Sequence, residues 1–410
     1  MGRFGLTAGP RAEAAQSAVL APERWLVHRV LERMRRPPVG IRLWNGEEVA
    51  VGEGAAVARV VLRDRGALYR LLLDPEFQFG ELYSDGRIEV EGDLVALLEE
   101  VNRRQLSGGA TDGRPTAGLR RGPLNTLSRA RANARHHYDI GNAFYRLWLD
   151  EAMAYTCAYF PREGLSLEDA QAAKMELVCR KMRLSAGERV VEAGCGWGGL
   201  ALYMARRYGV RVKAFNVSRE QVAFARERAA AEGLSGQVEF IEDDYRNIAG
   251  RFDAFVSVGM LEHVGRRHYG ELGAVIDRCL SPSGRGLIHT IGRHRPMPVD
   301  AWTRARIFPG AYAPSLGEMA GIFEPSGLVV LDVENLRLHY AATLRHWLAR
   351  FEDSRERVRA MFDERFVRMW RLYLSASIAA FTTGWLQLFQ VTFGRVTDNG
   401  VPMTREHLYR

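Results

Sequence analysis

From residue 189 onward, apolar segments of strand character alternate with helical ones: RVVEAG, VRVKAFNV, QVEFIED, FDAFVSVG, GRGLIHTIG, LVVLDVENL and FQVTF. Such alternation predicts an α/β fold with a doubly wound, mostly parallel sheet and right-handed crossovers. Ligands in that architecture bind beyond the carboxyl ends of the strands. The first strand runs into EAGCGWGG, which puts Gly194 and Gly196 in the strand-to-helix turn. A residue without Cβ permits positive φ there and lets a ligand approach the backbone closely. A purely structural turn would use the same glycines, so the polar residues around them carry the argument.

Those residues do not suit a dinucleotide. A GG pair at 198 and 199 stands in place of the separate third glycine of the dinucleotide fingerprint. Glu192 precedes the turn, Asn216 and Ser218 follow the second strand, and Asp243 and Asp244 follow the third. An acid for an ammonium group, a polar strand end for a ribose and an acid for adenine N6 describe a cationic amino acid joined to a nucleoside. That ligand is S-adenosylmethionine.

The chain has 410 residues and 47% hydrophobic content, enough for a large core and two domains. Lys and Arg number 57 against 49 Asp and Glu, and arginines crowd the first 135 residues in ERMRRPP, VNRRQ, GLRRGP and SRARANARHHY. The excess favours an anionic partner: nucleic acid, a phospholipid surface or an acidic carrier. Aromatics are not interleaved with these arginines and no nucleic-acid module is visible, so the expectation is no nucleic acid. Cys157, Cys179, Cys195 and Cys279 lack paired spacing, which suits a reducing cytoplasm and argues against a metal site. No signal peptide or anchor is visible at the start of the sequence.

Residues 1–102 mix a helical start (PERWLVHRVLERM) with alternating runs (VARVVLRD, GRIEVEG) and read as a smaller N-terminal α/β domain that associates with lipid. Residues 103–135 read as a flexible basic linker and 136–410 as the catalytic domain. The stretch 372–394 is free of charge and long enough to span a bilayer, yet its polar residues and alternating LQLFQVTF read as a buried helix followed by a strand.

Nine motifs in order, RHHYDIGNAFYRLWLDEAMAYTCAYF, EAGCGWGG, NVSREQ, DDYR, FDAFVSVGMLEHVG, IHTIG, IFPGAYAPS, LHYAATLRHW and RMWRLYLSASIAAF, resemble the cyclopropane fatty acid synthases and mycolic acid methyltransferases over about residues 135 to 394. The resemblance implies a class I S-adenosylmethionine-dependent methyltransferase with a seven-stranded sheet. It implies cofactor contacts at Tyr155, Thr156, Gly194, Gly196, Asn216, Ser218, Gln221 and Asp244. Glu192 and Asn216 depart from the usual Asp and Thr, and both keep the polar function. It further implies a bicarbonate ion held by the side chains of Glu262, His289 and Tyr340 and by backbone groups of Cys157 and Ile291, with His137 at another pocket position.

The implied reaction is methyl transfer to the cis double bond of an unsaturated phospholipid acyl chain at an anionic membrane surface. An isolated olefin is a poor nucleophile, so alignment matters, and the resulting carbocation needs a dry pocket with aromatic faces. Tyr145, Tyr155, Phe160 and Phe308 are the candidates. A base must then take a proton from the transferred methyl group, and either bicarbonate or Glu151, a turn before Tyr155, could serve. Ring closure gives a cyclopropane. A prior hydride shift gives a methylene branch, and IFPGAYAPS looks closer to the 10-methylene-forming relatives, whose product a reductase would consume. A cytoplasmic, membrane-peripheral homo-oligomer is expected; methylation of a non-lipid small molecule is the alternative reading.

Overall fold

The computed structural model describes residues 18–50, 56–107 and 140–409. Contacts divide the chain into two compact units, Met1–Gly113 with Phe362–Ala379, and Arg114–Met361 with Ala380–Arg410.

The first unit holds helices α1 (Ala21–Arg33), α2 (Arg65–Leu73), α3 (Pro75–Ser84) and α4 (Leu94–Ser107). Its four-stranded sheet has the order β2 (Glu48–Ala50), β1 (Val39–Arg42), β3 (Ala58–Leu62), β4 (Ile88–Gly92). In β3 the alternate residues Ala58, Val60 and Leu62 are buried, which is why VARVVLRD reads as a half-covered strand. Asp64 and Asp74 cap α2 and α3 by accepting from the N–H groups of Ala67 and Phe77. Two boundaries differ from expectation. Helix α4 continues through Ser107, past residue 102, because Arg103 and Arg104 pair one turn back with Glu99 and Glu100. Residues 362–379 also join this unit, where Arg368 donates to the carbonyls of Tyr83 and Ile88. Most of the expected linker lies outside the described residues.

The second unit is built on a seven-stranded sheet ordered β10-β11-β9-β8-β5-β6-β7. The strands are β5 (Arg189–Ala193), β6 (Arg211–Asn216), β7 (Val238–Glu242), β8 (Phe252–Val258), β9 (Leu280–Gly292), β10 (Leu328–Asn335) and β11 (Gln387–Arg395). Only β11 runs antiparallel to its neighbours β9 and β10. Strand order reverses beside β5, which opens a crevice at its carboxyl end. One sheet face packs on α5 (Leu167–Lys181), α6 (Gly199–Tyr208) and α7 (Arg219–Ala231) through Val178, Leu200 and Val222. The other packs through Phe255, Leu261, Ile276 and Phe393. The uncharged stretch becomes the end of a helix, Glu364–Thr383, and then β11, as its composition indicated. Among the described residues no helix is long and apolar enough to cross a membrane.

Candidate active site

The turn after β5 is left-handed at Gly194, Gly196 and Gly198 (φ +85°, +53° and +83°). The three glycines serve different ends. A Cβ on Gly194 would lie 2.8 Å from Met260 Cβ, and one on Gly198 would lie 2.6 Å from Phe240 Cζ. A Cβ on Gly196 would meet nothing within 4 Å, since it points into a cavity of about 160 Å³. Gly194 and Gly198 are therefore small to let the fold close, whereas Gly196 is small at a surface that a ligand can occupy.

Tyr155, Thr156, Glu192, Gly194, Gly196, Asn216, Gln221, Asp243 and Asp244 all line this cavity. Glu192 is 2% exposed and its Oε2 has no hydrogen-bond partner. Burial pushes its carboxyl up to about 8, against the pull of the Lys174 ammonium. An orphaned carboxylate oxygen beside an open glycine turn fits the α-ammonium group of S-adenosylmethionine. Asn216 braces the backbone instead. Its Nδ2 donates to the Gly196 carbonyl (3.2 Å) and to Gln221 Oε1 (2.8 Å), so it fixes the turn to the start of α7. Asp244 accepts from Arg246 N and Nε at 3.0 and 2.8 Å, so an adenine contact shares a carboxylate already engaged by arginine. Ser218 does not line the cavity; it is the N-cap of α7 and accepts from Gln221 N.

Glu262 stands on the short helix Leu261–Val264 that follows β8, and His289 on the neighbouring β9. Gly259 N donates to the His289 carbonyl (2.9 Å), and Glu262 Oε1 accepts from Ile291 N (2.6 Å). The Ile291 N–H expected to face an ion is therefore taken by Glu262. Burial raises the Glu262 carboxyl to about 7 despite that bond. Gln390 Nε2 lies 3.0 Å from His289 Nδ1. An amide nitrogen can only donate, so Nδ1 accepts and the imidazole proton sits on Nε2. Burial holds this imidazole neutral by lowering its pKa far below the ordinary value. Neither His289 Nε2 nor Glu262 Oε2 has a hydrogen-bond partner. Each atom could take a polar partner, but none of Glu262, His289 and Tyr340 lines the glycine-turn cavity.

Tyr340, 8% exposed, stands edge-on to Trp347 at 5.9 Å. Trp347 in turn contacts Tyr155 at 5.3 Å, and Tyr145, Trp148 and Trp197 complete an aromatic wall around Tyr155. The Cys157 thiol is fully buried and pushed far above its ordinary range by burial, which removes thiolate chemistry.

Several expectations need correction. Glu151 is exposed and does not line the cavity. The chain there is a turn rather than a helix, and its buried acid is Asp150, which accepts from Ala152 N (3.0 Å) and Ala154 N (2.8 Å). Phe160 stacks on His346 and His339 (5.5 and 6.5 Å), away from the aromatic wall. Phe308 lies 6.2 Å from His263, whose ring lines the cavity and is held neutral, with its pKa lowered to about 4 by burial. His137 lies outside the described residues. Sequence reasoning overlooked Lys174 and Trp197 in the cavity wall and Trp148 and Trp347 behind it.

Residues 125–391 match the family model described as mycolic acid cyclopropane synthetase. The chain belongs to this family. Residues 26–109 match a second model, described only as a domain of unknown function. A probable fatty acid methyltransferase of Pseudomonas putida is 35% identical over 91% of this chain and 96% of its own. The cyclopropane-fatty-acyl-phospholipid synthase of Escherichia coli K12 is 38% identical over 86% and 92%. Among solved structures, the mycolic acid cyclopropane synthase CmaA1 complexed with SAH and CTAB matches with a TM-score of 0.62 and 28% identity, covering 65% of this chain and 98% of that one. The protein is thus a class I S-adenosylmethionine-dependent methyltransferase.

Proposed function

We propose that the protein transfers a methyl(ene) group from S-adenosylmethionine to the cis double bond of an unsaturated acyl chain in membrane phospholipid, through a carbocation. The reading rests on one observation above all: two buried unpaired atoms, Glu262 Oε2 on the short helix Leu261–Val264 after β8 and His289 Nε2 on β9 opposite Val258, next to the cavity-lining Val258, Gly259, Met260 and His263 although neither lines the cavity itself. The relatives from Pseudomonas putida and Escherichia coli, named for fatty acids and fatty-acyl phospholipids, support it.

S-adenosylmethionine bound at the turn supplies an electrophilic methyl carbon. Everything else falls to the chain. Tyr155 and Trp197 face the cavity, with Tyr145, Trp148 and Trp347 behind them, and these rings exclude water and turn electron-rich faces toward developing positive charge. The olefin's π electrons form the new carbon–carbon bond as the methyl–sulfur bond breaks, its electron pair staying on the sulfur of the departing S-adenosylhomocysteine, and the cation is left on the acyl chain. Proton loss from the added methyl group then closes the ring; after a 1,2-hydride shift, the same loss gives an exocyclic methylene. Glu262 Oε2 and His289 Nε2–H would hold bicarbonate, which would supply the base, and Glu262 can itself hold the proton near neutral pH.

The methylene product is the favoured of the two. Pro309 and Gly310 of IFPGAYAPS line the cavity, and Tyr312 N donates to the Glu262 carbonyl at 2.8 Å, so the segment that departs from the synthases abuts the proton-accepting residue. Mass spectrometry of lipids from cells expressing the protein, with oleate supplied, tests the proposal. Phospholipid oleate should gain one carbon, and ozonolysis should cleave the methylene isomer while sparing a cyclopropane. Unaltered phospholipid acyl chains with methylation of a water-soluble compound would overturn it.

A further inference from the structure

Asp243, Asp244 and Tyr245 follow β7 and line the same cavity as Glu192 and the glycine turn after β5. With β6 between them, the two groups stand two strand spacings apart, roughly 10 Å. That span suits an elongated ligand with its amino-acid end at the glycine turn and its base beside Asp244.

Asp244 is 2% exposed, and its carboxylate is held from one side. Its Oδ1 caps the short turn Tyr245–Asn247 by accepting from Arg246 N at 3.0 Å, and accepts again from Arg246 Nε at 2.8 Å. Its Oδ2 accepts from the same guanidinium at 3.2 Å. A carboxylate offers about four lone-pair sites, of which these bonds occupy three. The remaining one belongs to Oδ2. The capping bond alone would leave the plane of the carboxylate loose, because the last torsion of an aspartate is soft. Two bonds from a planar guanidinium fix that plane.

Arg246 is itself built in. Its side chain is 13% exposed, and its guanidinium carbon lies 5.3 Å from the centre of the Tyr245 ring. Arg278, on the helix Tyr269–Cys279, donates to the carbonyls of Arg246 and Ile248. Asp243 ties the turn from the other side, its Oδ1 accepting from Asp244 N at 2.8 Å and from Asn247 Nδ2 at 2.9 Å.

We propose that Arg246 is a positioning residue for base recognition: its fork holds Asp244 so that Oδ2 turns its remaining lone pair toward the 6-amino group of the cofactor's adenine. The proposal rests on the cofactor assignment above. An exocyclic amine donates to that acceptor, whereas a purine without the amine leaves a buried carboxylate oxygen facing carbon.

Calorimetric titration of the whole chain with S-adenosylhomocysteine, and with its analogue lacking the 6-amino group, separates this role from packing. Wild type should prefer S-adenosylhomocysteine by about tenfold or more. R246M should weaken S-adenosylhomocysteine and leave the analogue near its wild-type affinity, so the ratio of the two Kd values should shrink to about threefold or less. R246K keeps the charge without the fork. Its ratio should fall by at least about threefold, and this variant carries the test if R246M does not fold. In D244A the ratio should be near one, and adding R246M should leave it there. An R246M protein that loses both ligands equally would overturn the proposal, since a merely structural role acts on both alike. So would a larger ratio, because the arginine would then compete with adenine for Asp244. Wild-type protein that does not distinguish the two ligands would remove the adenine contact, and one that binds neither would remove the cofactor assignment; this inference falls in both cases.

Discussion

Replacing Gly196 by alanine separates the ligand from the fold. At φ +53° an L-residue costs about 1 to 2 kcal/mol in backbone strain. For a unit of this size each kcal/mol moves Tm by about 2 to 4 °C, so scanning fluorimetry should show a fall of roughly 2 to 8 °C. No packing penalty adds to this, because nothing lies within 4 Å of the new Cβ. The methyl group instead takes up space where the amino-acid end of the cofactor approaches the backbone. Affinity for S-adenosylhomocysteine, measured by calorimetry, should drop by at least about tenfold, equivalent to about 1.4 kcal/mol. Gly198→Ala is the internal control. Its Cβ would fall 2.6 Å from Phe240 Cζ and 2.9 Å from Ala225 Cβ, so overpacking adds about 1 to 3 kcal/mol to the strain, while the folded fraction should bind the ligand normally. A Gly196→Ala protein that melts as expected yet binds like wild type would refute the placement of the cofactor.

Glu262→Gln and His289→Ala should each lower kcat on oleoyl phospholipid by about 10²- to 10⁴-fold while S-adenosylhomocysteine affinity holds, since losing a base acts on the transition state. Wild-type kcat should rise as pH passes through about 7, where Glu262 ionises, and Glu262→Gln should lose that limb. Glu151→Ala, at an exposed turn, should retain activity within about twofold; a severe loss that bicarbonate does not restore would return Glu151 to the site. The folded-state pKa of Glu192 is raised, so the folded form holds a proton that the unfolded chain has released. Ligand-free stability should accordingly fall as pH rises from about 5 to about 8, by on the order of 1 kcal/mol per unit, and Glu192→Gln should flatten the slope in a thermal scan. Flotation with anionic vesicles should weaken with salt, each basic residue near the surface adding about 1 kcal/mol; equal flotation with neutral lipid at every salt concentration would remove the electrostatic attraction.

The strand pattern was legible because a buried parallel sheet demands near-continuous apolar runs, and all seven runs quoted from the sequence correspond to strands. The glycine turn was legible for a related reason: positive φ leaves a mark on composition. Glu151 misleads because the stretch is a turn without periodicity, so nothing in the sequence tells which of Asp150 and Glu151 points inward. Ser218 is readable in principle, since Ser218 and Gln221 have the spacing of a capping box at the start of a helix. Lys174 and Lys181 repeat seven residues apart on the buried face of α5, a signal masked by the habit of assigning lysine to solvent. Trp148 and Trp347 meet only through tertiary packing across about two hundred positions, and no local pattern announces that.

The unsatisfied atoms Glu192 Oε2, Glu262 Oε2 and His289 Nε2 also bear on how long the protein lasts. A buried polar atom without a partner costs about 1 to 3 kcal/mol, which is comparable with the whole margin by which many domains stay folded. Ligands that satisfy these atoms bind the native state alone and so hold it against unfolding in proportion to the logarithm of their concentration. Proteases in the cell act on the unfolded fraction. If the cofactor satisfies Glu192 Oε2, saturating cofactor should slow proteolysis of the wild-type protein relative to the ligand-free form.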